Sequence, residues 1–508
     1  MAISAALPLL LRLLLLPLLP VPKPAVADEF SYLLGADTFA HSRLTNPPHP
    51  LGPFFEAFHI LVQPTYASMY PPGQALALAL GQVTFGGAWW GVFLSVGLMC
   101  GAVCWLLQAF LPPRWSLAGG LSFALLFGVE SYFMNSYWGG AVPALGGALL
   151  VGSVARLAVP RTRVRRPVLL ALLAGVGVAL LAGTRPWEGF CVALPCALAL
   201  LAWLARGPEA VGTKLGSVVL PLLLVLVLAG AFLLRYNRRV TGDPFKPPYL
   251  LNLERYYTAP LFVWQSERPA LVHQHEEMRR YYADWRRWES SLRAAGDSRN
   301  PLRVFLGWFH ELKFCGGTVL AAILVAAFAR GRRSRFLLLA TAFVFAGLSV
   351  TLVQQLHYLA PAAGLLVAMQ MQGLRVLGRL RLGGRRLAAF LPGVVLLAAS
   401  IGLARNVVLT VRLEHAEQGR GFGERRAAVE ARLSALPGRH LVLVQYGPDH
   451  VVHDEWVYNG ADIDGSRVVF AHDMGPAENE RLIRYFAGRV LWRFEPEERD
   501  RLTPHPGR

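Results

Sequence analysis

The feature that most restricts this chain is a long stretch almost empty of acid. Between Glu56 and Asp243 the only acidic residues are Glu130, Glu188 and Glu209. Apolar runs near twenty residues long recur through it, each enough to cross a bilayer core of about 30 Å. Hydrocarbon offers no water to the backbone, so each run must pair its own N–H and C=O groups, as a helix does. Across 508 residues 54% are hydrophobic and only 16% charged, against about a quarter charged in a soluble chain. The expectation is an α-helical polytopic membrane protein with about eleven spans, near 4–20, 89–111, 115–133, 141–159, 167–184, 189–205, 215–235, 304–329, 336–354, 358–374 and 388–409. Ala25-Val26-Ala27 before Asp28 has the look of a signal-peptidase site. The lack of basic residues ahead of the first run, and the prolines within it, favour a retained helix.

The net charge of +18 is placed on one side. Arg114, Arg161, Arg163, Arg165, Arg166, Arg206, Lys214, Arg330, Arg332, Arg333, Arg335, Arg375, Arg379, Arg381, Arg385 and Arg386 fall in one set of short loops. The opposite short loops, 128–140, 184–188 and 354–358, hold only Arg185. This asymmetry is the positive-inside rule, and it orients the chain with Asp28 and the long loops 21–74 and 236–301 outside. No aromatic-basic recognition motif accompanies the charge, so nucleic acid is excluded as a partner. The five cysteines lie in or beside apolar runs, where thiols pack as small hydrophobes.

From about residue 411 the composition is that of a soluble domain. Glu424–Leu436 reads as a helix ended by Pro437-Gly438, and Glu478–Phe486 as a second. His440–Tyr446, Arg467–Ala471 and Arg489–Phe494 read as strands. The expected division is a membrane domain, 1–409, and a small extracytoplasmic α/β domain, 410–508. No glycine-rich phosphate loop is present in the latter.

Charged groups beside a membrane interior are costly and therefore direct attention to function. On the outer side stand Asp28, Glu29, Glu56, Glu130, Asn135, Trp138, Arg185, Glu188, His357 and Tyr358. Carboxylates can deprotonate a hydroxyl, arginine and histidine can neutralise a leaving phosphate, and aromatics can stack on sugar rings. Nucleotides are not expected outside the membrane, so a phosphate-linked sugar there would be carried on a lipid.

The chain resembles the multispanning glycosyltransferases of the GT-C superfamily, particularly the aminoarabinose transferase and protein O-mannosyltransferase branch (glycosyltransferase family 39-like). Asp28-Glu29 matches the acidic pair after the first helix. Tyr70-Pro71-Pro72 matches the proline pair ending the first loop, and His357-Tyr358-Leu359-Ala360-Pro361 resembles the aromatic-x-x-Pro element of a late span. The resemblance implies inverting transfer from a polyprenyl-phosphate sugar to a lipid, glycan or protein, with Asp28 as base beside Glu29. Arg185, His357 and Tyr70 are the expected donor-phosphate ligands, and Glu56, Trp138, Glu188 and Tyr358 the substrate contacts. Tyr70 stands where some relatives have a lysine. Asn135 stands near where a second acid is usual, which leaves a divalent metal open.

Structural readings stand beside these. Arg185 and Glu188, three apart, suit a mutual ion pair. His41, His49 and His59 lack metal-ligand spacing. His450, His453, Asp454 and Glu455 read as loop chemistry, as does Asp462-Ile463-Asp464-Gly465, which lacks the glutamate of a calcium loop. A transporter or flippase of lipid-linked substrates is the alternative function, and a non-catalytic assembly protein a third. Polar residues at the outer edge, without an internal repeat, favour the enzyme.

Overall fold

The computed structural model describes the chain apart from residues 160–163, 207–208, 267, 270, 285–312, 330, 353–354, 383–384, 418–420, 499 and 506–508. Arg161, Arg163, Arg330, the end of the second outside loop and the start of the 304–329 run therefore lie outside the described residues.

Helices stand at each apolar run. They are α1 (Ala2–Leu14), α4 (Trp89–Phe110), α5 (Pro113–Phe127), α6 (Ala141–Leu157), α7 (Pro167–Ala182), α8 (Pro186–Arg206) and α9 (Val211–Thr241), then Lys313–Phe328, Arg332–Leu348, Ala363–Leu377 and Leu391–Glu417. Proline opens several of them, where its missing N–H costs nothing and its fixed φ suits the first turn. Four helices are long and apolar enough to cross a membrane: α4, α8, α9 and Leu391–Leu413. Ala2–Leu14, Ala141–Leu157, Pro167–Ala182 and Gly317–Phe328 are apolar but shorter. The chain is a membrane protein whose interior is built around α4. The apolar window of α4 is 67% buried, against 6% for α9 and for Leu391–Leu413, which leave apolar faces for lipid.

Small residues let the buried helices approach closely, as is usual where no water drives helices together. α3 (Pro72–Phe85) crosses α4 so tightly that a Cβ on Gly81 would lie 2.1 Å from the Gly91 nitrogen. On the basic face, arginines cap helix C-termini. Arg333 donates to the carbonyls of Ala109 and Val159, and Arg379 to that of Phe328 at 2.9 Å. Arg156 donates to Trp105 O at 2.6 Å and lies over its ring. Cations at helix C-termini complement the dipole.

The first outside segment is more ordered than its composition suggests. It holds α2 (Ala27–Ala40), a 3-10 turn at Gly52–Phe55 and a short antiparallel pair, Ile60–Leu61 with Ala67–Ser68. α2 is buried on most sides.

The C-terminal sheet has the order Val468–His472, His440–Val444, Val490–Glu495, Arg501–Pro504. The first three strands are parallel and the last antiparallel. The two helices are Phe422–Ala435 and Pro476–Tyr485. The polar edge strand at 501–504 has no counterpart in the sequence reading, because it carries no alternation of apolar residues. This unit shares one hydrophobic core with the first segment. Phe30 stacks on Tyr458 at 4.2 Å, Asp37 accepts from the Ala461 N–H at 2.7 Å, and Tyr66 donates to Asn459 O.

Gly91→Val tests the crossing of α3 and α4. The Cβ would meet the Ala77 carbonyl oxygen at 2.0 Å. We expect a loss of about 1–3 kcal/mol or more, measured as a lowered unfolding temperature in detergent. Gly216→Ala, with nothing within 4 Å of its new carbon, should leave that temperature unchanged.

Candidate active site

Asp28 and Glu29 occupy the first turn of α2, and their surroundings differ. Glu29 is 5% exposed. Its Oε2 accepts from the N–H groups of Ala25 and Val26, and its Oε1 from that of Tyr137 at 2.9 Å. Burial pushes its pKa up and the main-chain donors pull it back. The Asp28 side chain is 25% exposed and accepts a hydrogen bond from the Tyr70 hydroxyl. Tyr70 is placed by the proline pair: Pro71 is extended and Pro72 starts α3. Its ring stacks on Tyr32 of α2 at 4.3 Å.

Behind Tyr70 lies His59, fully buried in the left-handed region at φ 63°. For a residue with a side chain this backbone is strained. Hydrogen bonds from the Ser31 hydroxyl and the Met69 N–H to its carbonyl hold it there. The imidazole Nδ1 is 3.2 Å from the Tyr70 hydroxyl, and Nε2 is 3.0 Å from that of Tyr257 and 3.1 Å from that of Tyr281. Burial holds the pKa of His59 below its ordinary value, against the pull of Asp28. One tautomer satisfies the chain: tyrosine donates to Nε2, Nδ1–H donates to Tyr70, and Tyr70 donates to Asp28.

Arg185, just before α8, lies 4.8 Å over the Tyr358 ring and 4.0 Å from Glu188. It also acts electrostatically on Tyr32 and Tyr70. Tyr32, Tyr249 and Tyr358 each feel both Arg185 and Asp28. Carboxylate and guanidinium thus share one group of tyrosines. His357 is buried between Trp138, at 4.9 Å, and the rings of Tyr132 and Tyr358.

Glu56 belongs elsewhere. It accepts from Tyr256 at 2.7 Å, and its buried Oε2, without a hydrogen-bond partner, is 3.9 Å from His275 Nε2. His275, Glu277 and His472 bring ligand atoms within 4.8 Å of one another. Nε2 of His275 bonds the Pro53 carbonyl and Nε2 of His472 that of Glu56, each at 2.7 Å. An imidazole oriented in this way keeps its other nitrogen for a metal, so the group suits a divalent cation. Sequence spacing could not reveal it, since nearly the whole C-terminal half of the chain separates the histidines. The histidines and acids of 450–455 serve different partners: His450 meets Glu497, Asp454 meets Arg425, and Glu455 meets Tyr446. Asn135 donates to Glu130 and accepts from Arg12, a network within the helix bundle.

Comparison of the sequence with protein-family profiles and with characterised proteins finds no match. The fold does match solved structures. ArnT from Cupriavidus metallidurans, in the apo state and bound to undecaprenyl phosphate, aligns over 98% of this chain and 93% of that one, with TM-score 0.50 and 13% identity. The Archaeoglobus fulgidus oligosaccharyltransferase in complex with Zn and sulfate aligns over 97% of this chain and 68% of that one, with TM-score 0.51 and 12% identity. Against the same enzyme tethered with an acceptor peptide, the match spans 62% of that chain at TM-score 0.45 and 11% identity. At these identities the likeness is one of fold.

Acid should loosen the outer assembly. Burial lowers the pKa of both His59 and His472, so the folded protein takes up fewer protons than the unfolded chain below pH 6.5. Stability is then full above that pH and falls by up to about 1.4 kcal/mol per pH unit for each such histidine as pH drops. Glu455 opposes this: burial pushes its pKa up to about 7, so its contribution is lost as pH rises from 4.5 to 7. Unfolding temperatures between pH 6.5 and 5.5 should fall in the parent protein and fall more steeply in Glu455→Gln.

Proposed function

We propose that this chain is a glycosyltransferase that moves a sugar from a polyprenyl-phosphate donor to a hydroxyl of an extracytoplasmic lipid, glycan or protein. The observation that carries this is the pairing of a part-exposed carboxylate, Asp28, with the part-buried guanidinium of Arg185 across one set of tyrosines. The acceptor O–H gives its proton to Asp28 as its oxygen bonds the anomeric carbon. The bond from that carbon to the phosphate oxygen breaks, and polyprenyl phosphate leaves with the electron pair. A single displacement inverts the anomeric centre. Arg185 and the hydroxyls of Tyr32, Tyr70 and Tyr358 receive the phosphate charge, while Trp138, His357 and Glu188 border the site. Glu29 positions Asp28 by fixing the first turn of α2. The arrangement in the membrane is eleven spans with the basic loops inside, the C-terminal unit outside and a bacterial-type inner membrane as location, which the charge asymmetry supports. GT-C-fold neighbours named as transferases support the same kind of activity.

His275, Glu277 and His472, with Glu56 beside them, would hold a divalent cation. It would supply a positive charge that ties the second outside segment to the C-terminal sheet.

Asp28→Asn should lower transfer from a polyprenyl-phosphate sugar by about 10²–10⁴-fold while the protein still retains the donor in native mass spectrometry. Arg185→Ala should lose the retained donor. Unchanged transfer in Asp28→Asn, or a parent protein that binds only ordinary phospholipid, would overturn the reading. For the cation, the double variant H275A/H472A should carry less bound zinc by elemental analysis after dialysis against a trace of the metal. Equal zinc in parent and variant would remove that site.

A further inference from the structure

A second charged surface lies at the C-terminal end of α9. Arg235, Arg238 and Arg239 are exposed there and line, with Leu234 and Pro244, a cleft of about 480 Å³. Among the described residues none of the three has a hydrogen-bonding or ion-pairing side-chain partner. The nearest acid, Asp243, is engaged with its own turn, accepting from the Phe245 N–H at 2.8 Å. Lys246 close by is already paired with Glu254 at 2.9 Å. Three like charges gathered in one cleft repel one another, and Asp243 and the helix C-terminus offset only part of that charge.

Depth identifies what would. From Lys214 to Arg235 the helix rises about 32 Å, close to the thickness of a bilayer core of about 30 Å. Lys214 and the arginines therefore bracket the hydrocarbon, and the cleft opens at headgroup level. Apolar side chains flank it: Leu234 is 41% exposed and Phe245, beyond the left-handed Gly242 that ends the helix, 80%. Cationic heads with apolar neighbours at that depth match a lipid whose phosphate and acyl chains lie side by side. Arginine suits this use, since its planar fork meets phosphate with two parallel hydrogen bonds. With the basic loops inside, these arginines are on the outer side, against the positive-inside trend, which sets them apart from the arginines that cap helices on the other face.

We propose that Arg235, Arg238 and Arg239 form a binding site for the phosphate headgroup of an anionic membrane lipid. The inference rests on α9 as a membrane span and not on the transferase reading. The test is native mass spectrometry of the full chain titrated with phosphatidylglycerol or phosphatidylcholine. The parent should retain phosphatidylglycerol preferentially. The triple variant R235Q/R238Q/R239Q should weaken that binding by roughly 10- to 100-fold, leave phosphatidylcholine unaffected and unfold at the parent's temperature. R235K/R238K/R239K should restore part of the preference through charge alone. Asp28→Asn should bind phosphatidylglycerol as the parent does even where transfer is lost, so the two readings fail separately. Equal phosphatidylglycerol binding in the parent and the glutamine variant would overturn the proposal. So would displacement of the lipid by millimolar inorganic phosphate, which would mark a site for free anions.

Discussion

Three main-chain N–H groups converge on the carboxylate of Glu29, two from the segment leading into α2 and one from Tyr137, 108 residues further on. Burying a carboxylate is costly unless its lone pairs are satisfied, and here the backbone satisfies them. The bond to Tyr137 ties the start of α2 to the outer turn between α5 and α6. Asp28, one residue earlier and about 100° round the helix, is thereby turned to Tyr70. Two adjacent acids thus have separate tasks. The one saturated with donors anchors the helix. The other keeps part of its exposure and accepts the hydroxyl of Tyr70, which fits the proton-accepting role proposed for it.

The same economy governs the arginines. On the basic face they would, in the proposed orientation, set the direction of the chain in the membrane, and they occupy carbonyls left unpaired at the ends of α4, α6 and Lys313–Phe328. Each unpaired carbonyl buried near lipid would cost free energy, so one residue type meets both demands. Arg185 follows neither pattern. It stands apart from them, part-buried against an aromatic ring and an acid.

These distinctions explain which parts of the molecule were legible in the sequence. Every apolar run became a helix because a dry surrounding leaves no other way to pair a backbone. The proline pair opened α3 because Pro71 and Pro72 can adopt little else than an extended residue followed by a first helical turn. Asp28 and Arg185 were legible because charge beside a membrane is conspicuous. Tyr32, Tyr249, Tyr257 and Tyr281 were not, since tyrosine is ordinary in such loops and only the fold brings these together. The burial of α2 was equally hidden. Its partners are Tyr458 and Ala461, and no local period records a partner some four hundred residues away. The number of spans lies between these cases: order and position were readable, while the observed lengths meet the requirement for crossing in four helices.

The presence of Tyr70, a neutral donor, beside Asp28 bears on how the proposed site would manage charge. Burial disfavours the charged form of His59, and the charge of Arg185 beside the tyrosines is offset in part by Glu188 at 4.0 Å. A departing phosphate would then meet mostly hydroxyl donors. Such donors stabilise an oxyanion without creating a strong field when the site is empty. Tyr70 gains a second use from this, since its O–H is directed at Asp28. If Asp28 takes the acceptor's proton, as proposed above, its negative charge would disappear, and the hydroxyl of Tyr70 would be released from its strongest acceptor as negative charge grew on the phosphate. A lysine in its place would stay bound to whichever anion was nearer. A tyrosine backed by a neutral histidine can pass its hydrogen bond from base to leaving group, which links the two halves of the displacement through one side chain.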